Sequence, residues 1–493
     1  MDYSSLLPKI RIRKIILTDF RNILHSEINI PGGKMSEFLA NEPSILGLYG
    51  QNGSGKTSVL MAIYALKTAL SGSEFELEEF SSCIRHGCNS AKLDFEFSAY
   101  TDKGIEYDLY YSFSMAIRED EDETPTKRSN AATKREFLHH TTGTPKIVIF
   151  NEILQYAAKS PNDKRNKQIL IDTSDEACAQ SGKVFGNKKK YEQLTENLES
   201  NIDILLEKSK MKANIQSTSF IFSSRVNKLL IEGACVLSYK IILKALAEYG
   251  KNYLFVILTN KGHLNNTMTL SVCEYESDSR PTVSQFLLNL YSSNEDFEED
   301  LSIIKKSINA INQVISQIVP SLTIVIDNVR KWMVVDNQIL YKYDLFSKRN
   351  GIQLPLAYES DGIQRMISFL SLIIAVYNNP SVTVAIDEID AGIFEYLLGE
   401  LLTIIKDSAK GQLIFTSHNL RPLEVLPYKN LLFTTVNPEN RFARLDGISG
   451  NNNLRDSYFR SIILGDGKDA FYDATDTFNI EQSLLEAGYD RED

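Results

Sequence analysis

The chain has 493 residues, enough for two or three domains and a large buried core. Its composition, 43% hydrophobic and 24% charged, is that of a soluble globular protein, and no apolar run reaches the ~18 residues of a membrane span. A net charge of −11 argues against a dedicated nucleic-acid binder, which normally carries a basic excess.

The opening stretch, Met-Asp-Tyr-Ser-Ser-Leu-Leu-Pro, has no signal-peptide layout, and the five cysteines are scattered. Both features lead us to expect a cytoplasmic protein with reduced thiols. Ile10 to Leu17 reads as a first strand, closed by the turn Asp19-Phe20-Arg21-Asn22. Ile45-Leu46-Gly47-Leu48-Tyr49 is a buried strand, and it runs into Gly50-Gln51-Asn52-Gly53-Ser54-Gly55-Lys56-Thr57. This is a complete G-x-x-x-x-G-K-[ST] phosphate loop, followed by a helix that begins Ser58-Val59-Leu60-Met61. Glycines here let the backbone turn its N–H groups inward around phosphate oxygens, at a helix N-terminus that favours anions. The spacing assigns Lys56 to the β/γ-phosphates and the Thr57 hydroxyl to Mg²⁺. Gly50, Asn52, Gly53, Ser54, Gly55, Lys56, Thr57 and Ser58 are therefore the expected ATP-binding set.

Residues 91–100 and 105–115 alternate apolar and polar, the pattern of an antiparallel hairpin flanking the core. Arg118 to Lys134 is polar and rich in breakers, and we expect it to be mobile. Lys159, Lys164, Arg165, Lys167, Lys183 and Lys188-Lys189-Lys190 make the next stretch basic, a pattern more often a solvated face than a nucleic-acid site. Tyr191–Tyr249 and Phe297–Ile318 have helical spacing. They read as an ordinary helical subdomain or as two legs of an antiparallel arm.

Glu359-Ser360-Asp361-Gly362-Ile363-Gln364-Arg365 opens a long apolar helix with Ser360 as its N-cap. Val382 to Ile386 is a continuous β-branched run, as a central parallel strand requires, and it ends in Asp387-Glu388. Carboxylates at the C-terminal edge of such a strand sit where α/β sheets bind ligands. Asp387 is expected to support the Mg²⁺ held by Thr57, and Glu388 to polarise the attacking water. A further strand, Gln412–Thr416, leads into Ser417-His418-Asn419, and Asn430 to Val436 completes the core. The end of the chain, Asp466–Asp493, holds nine acids against Lys468 and Arg491.

The order phosphate loop, S-D-G signature, strand-D-E-I-D and T-S-H resembles the ABC-type ATPases of the SMC/RecF/OLD branch. The resemblance implies an α/β fold: a P-loop ABC-type ATPase head with a mostly parallel central sheet, an antiparallel β subdomain and a large helical insertion. It implies heads that sandwich ATP as a homodimer or higher homo-oligomer, with Ser360 and Gly362 reaching the γ-phosphate in trans. It also makes Asp390 an interface aspartate, His418 a switch histidine in the catalytic set with Glu388 and Lys56, and Arg21 a neighbour of the nucleotide. The signature departs from the transporter pattern, and Ile84-Arg85-His86-Gly87 stands only roughly where a Q-loop belongs.

On this reading residues 1–145 and 321–450 are the two lobes of the head, 146–320 a mainly helical insertion and 451–493 an acidic tail. OLD-like relatives carry a nuclease domain after the core, and none is legible here. The chain thus resembles the stand-alone ATPases of anti-phage systems such as Septu, PARIS and AbiL, and the implied partner is a separate effector, a nuclease or other toxin. A RecF/SMC-like repair ATPase that clamps DNA, and a slowly hydrolysing nucleotide-gated scaffold, remain the alternatives. No membrane partner is expected.

Overall fold

The computed structural model describes residues 7–119, 144–159, 166–198, 202–259, 267–274, 282–444, 454–464, 470–471 and 476–487. Most of the Arg118–Lys134 segment, Lys164 and Arg165, and parts of the acidic tail lie outside the described residues.

The chain opens with an antiparallel pair, β1 (Lys9–Phe20) and β2 (Ile23–Asn29), then enters β3 (Ser44–Tyr49) and the phosphate-loop helix Lys56–Ser71. β4 (Ala91–Tyr100), β5 (Glu106–Glu119), β6 (Pro145–Lys159) and β7 (Gln168–Asp172) follow, and with β1 and β2 they form one sheet in the order β2-β1-β4-β5-β6-β7. Its neighbouring strands are antiparallel throughout. The hairpin expected from alternation is β4–β5, in which Leu93, Phe95 and Phe97 alternate with Lys92, Asp94 and Glu96 and point into the core.

After helices at Lys188–Thr195, Ile202–Ile215, Ser224–Gly233 and Leu237–Glu248 come β8 (Leu254–Ile257), β9 (Thr267–Glu274), β10 (Thr282–Asn289) and β11 (Asn294–Phe297). The helix Glu298–Ile318 leads to β12 (Thr323–Val335), β13 (Gln338–Arg349) and β14 (Ile352–Pro355), then to the signature helix Asp361–Asn378. The chain continues through β15 (Thr383–Ile386), the helix Glu395–Ser408, β16 (Gln412–Thr416), β17 (Leu431–Thr434) and β18 (Phe442–Ala443). The second large sheet runs β18-β17-β3-β16-β15-β8, parallel except for β18. β3 and β15 are buried at every position, as strands covered on both faces must be.

Residues 146–320, read from periodicity as mainly helical, contribute strands to every sheet found among the described residues. β8 is the clearest case: Leu-Phe-Val-Ile pairs with β15 and extends the central parallel sheet. Four apolar residues are too few for periodicity to separate strand from helix. The two helical stretches do not pair as an arm. Helices between Lys188 and Glu248 pack into the main core, whereas Leu301, Ile304, Ile308, Ile311 and Ile315 of the helix Glu298–Ile318 build a second core with Leu322, Ile324, Tyr343 and Leu345. Two lysines of the basic stretch have partners. Lys183 pairs with Asp203 at 2.7 Å, and Lys190 lies against Tyr156, Tyr239 and Gln168.

Two buried polar side chains bind the sheets together. The Gln412 amide donates to Ile12 O and Ser44 Oγ (both 2.9 Å) and accepts from Ile12 N–H (3.1 Å) and the Thr383 hydroxyl (3.2 Å). It thereby joins β1 to β3 and β15. Arg11, fully buried, donates to the carbonyls of Gly32, Glu42 and Lys410 and stacks on Phe38; burial pushes its guanidinium down to about 10. Part of the expected tail is ordered on the core: Tyr458, on the helix Leu454–Leu464, and Phe471 both pack on Phe433.

Candidate functional site

β3 ends in the phosphate loop, where Gly50, Gly53 and Gly55 take φ values of 146°, 76° and 110°. At Gly50 the need for glycine is double, since a Cβ there would meet Thr434 Oγ1 at 1.6 Å. Thr434, at the end of the neighbouring β17, donates to Tyr49 O at 3.2 Å and shares a 2.6 Å hydrogen bond with the Ser54 hydroxyl, fixing the loop from that side. Asn22 holds the other side: its amide donates to Gly53 O (2.9 Å) and accepts from the Ser58 hydroxyl (3.2 Å). Lys56 begins the helix, and its ammonium donates to Gly50 O (2.7 Å) and Gln51 O (3.1 Å). Burial pushes the Lys56 ammonium below the ordinary lysine value, while the charges of Asp387, Glu388 and Asp390 oppose that fall.

The sheet order explains how two distant motifs meet. β16 lies between β3 and β15, so the ends of the three strands stand side by side. The Thr57 hydroxyl lies 3.3 Å from each carboxylate oxygen of Asp387. From the middle strand, the Thr416 hydroxyl donates to Asp387 Oδ1 at 2.6 Å and accepts from Glu388 N–H at 2.8 Å. Glu388 itself has φ of +50°, a left-handed conformation that costs a non-glycine residue on the order of 1–3 kcal/mol and that neighbouring contacts must hold. Asp390 turns back on its own chain, where its carboxylate accepts from the N–H groups of His418 (3.3 Å) and Asn419 (3.1 Å).

These elements enclose a cleft of about 860 Å³. Its walls carry Asn52 to Ser58, Asp387 and Glu388, the exposed His418, and Arg21. Sequence reasoning missed the rest of the lining. Asn22 belongs to the turn after the first strand, Arg85 and His86 come from the segment that stands only roughly where a Q-loop belongs, and Arg441 has no local signal. Arg441 reaches the site from beyond β17 and donates to Thr435 O (2.9 Å) and Asn22 O (3.2 Å). Cations on several walls facing a phosphate loop suit a polyanionic ligand.

Ser360 and Gly362 do not line this cleft. Ser360 caps the signature helix, accepting from Ile363 N–H at 3.4 Å. Gly362 is pressed against the loop after the acid pair: a Cβ there would lie 2.7 Å from Gly392 O. That close approach within one chain accounts for glycine at this position.

A phosphate loop at the end of a central parallel strand, with an acid pair two strands away, defines a P-loop ATPase head of the ABC type. The chain belongs to the AAA ATPase domain family, whose model matches residues 11–421, and it is an ATP-hydrolysing enzyme. No curated protein matches it. Among solved structures it is similar to an SMC head domain from Pyrococcus furiosus bound to the C-terminal domain of ScpA, at 12% identity, over 88% of this chain and 96% of that chain, with a TM-score of 0.37. It is also similar to the SMC head domain from Thermotoga maritima, at 12% identity, over 89% and 100%, with a TM-score of 0.33. The recombination mediator RecF in complex with ATP is 10% identical over 83% and 93%, with a TM-score of 0.30. No helix among the described residues is long and apolar enough to cross a membrane.

Proposed function

We propose that the protein hydrolyses ATP with Mg²⁺ between two heads and uses the cycle to control a partner. The observation that carries this reading is the division of the machinery. The phosphate loop and acid pair share one cleft, while the cap of the signature helix lies outside it. The N-terminus of that helix, where Ser360 and Asp361 are exposed, is where the nucleotide of a second head would bind.

A hydroxyl and a carboxylate within one ion's reach of each other, Thr57 and Asp387, are the hard oxygen donors Mg²⁺ takes, with phosphate and water completing its shell. Bound there, the ion would draw charge from the β- and γ-phosphate oxygens. Lys56 holds the transferring phosphoryl group from the loop side. Glu388 would accept the proton of the attacking water, and His418, exposed on the cleft wall, would sense the γ-phosphate. Arg21, on the same cleft wall, would contact the phosphates. Asp390 fixes the His418 loop, a role within its own head that precedes any contact across the interface.

The partner we assign is a separate effector, a nuclease or other toxin, held or released in anti-phage defence in the cytoplasm. That assignment rests only on the resemblance of the sequence to stand-alone defence ATPases. The test combines Glu388→Gln with native mass measurement and identification of co-purifying chains. The variant should lose phosphate release, gain an ATP-dependent doubling of mass and retain a stoichiometric second protein. A variant that still turns over removes Glu388 from its role. ATP-dependent dimers that retain DNA in place of a protein move the assignment to a DNA clamp.

A further inference from the structure

The crown of the phosphate loop stands in open space at Gly53, where a Cβ would meet no described atom within 4 Å. Hydrogen bonds, and not packing, hold this part of the loop, and they form a closed circuit. On one side the Ser54 hydroxyl shares a 2.6 Å bond with Thr434. The next residue, Thr435, offers its carbonyl to Arg441 Nη1 at 2.9 Å, and Arg441 Nη2 donates to Asn22 O at 3.2 Å. The Asn22 amide then donates to Gly53 O at 2.9 Å, which returns the circuit to the residue beside Ser54.

Asn22 reaches the loop from a turn that needs support of its own. Asp19 and Arg21 have φ of 52° and 53°, left-handed values that residues with side chains keep only where neighbours hold them. Two segments do so. Arg21 N–H donates to Cys83 O and Arg85 N–H to Asp19 O, both at 2.9 Å. From the other segment Leu24 N–H donates to Pro438 O at 3.3 Å, beside the bond from Arg441. Gly55 completes the fit, since a Cβ there would lie 3.0 Å from Asn22 Oδ1.

We propose that Arg441 is a positioning residue for ATP binding, which closes this circuit between Thr435 and Asn22 and so sets the shape of the phosphate loop ahead of the nucleotide. Its place on the cleft wall would equally suit a cation that grips phosphate. The hydrogen bonds favour the other role. Both terminal nitrogens of the guanidinium point at backbone carbonyls, one from each side of the loop, a span that needs the planar fork of arginine. Asp387, Glu388 and His418 are not members of the circuit, so it bears on nucleotide affinity through preorganisation and leaves the chemical step alone. The proposal rests on ATP occupying this cleft.

The experiment uses the full-length protein, with ADP affinity measured by calorimetry in Mg²⁺ and kcat by steady-state phosphate release from ATP. Arg441→Met keeps the stem and removes the fork. Its ADP affinity should fall by about tenfold, with kcat at saturating ATP within about threefold of wild type. Arg441→Lys keeps the charge and loses the fork, and its affinity should match that of Arg441→Met within about twofold. Asn22→Ala opens the circuit at a second point. The double variant Asn22→Ala/Arg441→Met should bind like the weaker of the two single variants, because an open circuit has no more closure to lose. If Arg441→Met fails to fold, Asn22→Ala and Thr434→Val open the circuit on either side of the loop, and the same non-additivity is expected of that pair.

Wild-type affinity in Arg441→Lys beside a loss in Arg441→Met makes Arg441 a charge that holds phosphate, and overturns the proposal. Additive losses in the double variant do the same, as does a fall in kcat with affinity unchanged. Lys56→Ala checks the cleft separately. Wild-type ADP affinity in that variant overturns the cleft reading and the proposal with it. Loss of binding there, beside wild-type binding in every circuit variant, overturns the circuit alone.

Discussion

Replacing Thr416 by valine keeps the shape of a buried β-branched residue and removes one oxygen. That oxygen donates to Asp387 at 2.6 Å and accepts from Glu388 N–H at 2.8 Å. A hydrogen bond to a charged group contributes about 1.5–3 kcal/mol, and a buried N–H left without an acceptor costs about 1–3 kcal/mol. Asp387 keeps the Thr57 hydroxyl at 3.3 Å as a partial substitute, so we expect a loss of stability of about 2–4 kcal/mol rather than the full sum. The larger effect is on position. Glu388 is held left-handed at φ +50°, and the Thr416 oxygen fixes its N–H. Release of that strain moves the carboxylate, and a displacement near 1 Å costs about 10²-fold in rate, roughly 2.7 kcal/mol of barrier. The phosphate loop rests on β3, Asn22 and Thr434, none of which changes, so apparent ATP affinity should fall by less than about threefold. Thr416→Ser keeps the oxygen and should retain turnover within about fivefold. The assay is steady-state phosphate release against ATP concentration, with urea denaturation of the same preparations to match their folded fractions. A kcat for Thr416→Val within twofold of wild type would refute the positioning of Glu388 by this strand.

Gln412→Leu should cost about 2–5 kcal/mol, because the amide's four partners include both backbone groups of Ile12, and these would be left buried and unpaired; chemical denaturation measures it. Burial pushes the Lys67 ammonium down to about 8, so the charged form destabilises the fold in full below pH 8, and the penalty fades as pH rises toward the unfolded value of 10.5. Lys67→Met should therefore remove this pH dependence, so that its stability relative to wild type falls between pH 8 and pH 10.5 in paired thermal melts. Gly362→Ala forces a Cβ to within 2.7 Å of Gly392 O, which must open the signature helix away from the acid-pair loop. ATP binding should survive in this variant while ATP-dependent dimers and turnover fall, as equilibrium dialysis beside native mass would reveal; intact dimers would refute it.

The head was legible because its parts have local signatures. The phosphate loop, the apolar strand ending in Asp387-Glu388, and Gln412 to His418 each announce strand and ligand chemistry within a dozen residues. Their assembly was not legible. Nothing local says that β16 lies between β3 and β15, yet that order brings the Thr416 hydroxyl to the acid pair. Arg441 and His86 come to the cleft through tertiary folding and carry no pattern of their own. β8 failed for a different reason. Four apolar residues after a helical run look like more helix, and only pairing with β15 makes them a strand.

The signature helix shows why the two cores matter to one another. Met366, Ile367 and Leu370 face the second core, with the helix Glu298–Ile318 and β13, while Phe369, Leu372, Ala375 and Val376 face the main core under β15. Close-packed cores yield in discrete steps rather than by smooth deformation. A force on Ser360 at the helix tip is therefore felt in both cores, and through Gly362 and Gly392 it reaches the loop that follows Glu388. In the proposed dimer that force is the pull of the other head's nucleotide. The same helix carries it toward the lobe that bears the β12–β13 hairpin, which rests on the second core through Ile324, Tyr343 and Leu345. The nucleotide state and the exposed hairpin are thus linked through one helix.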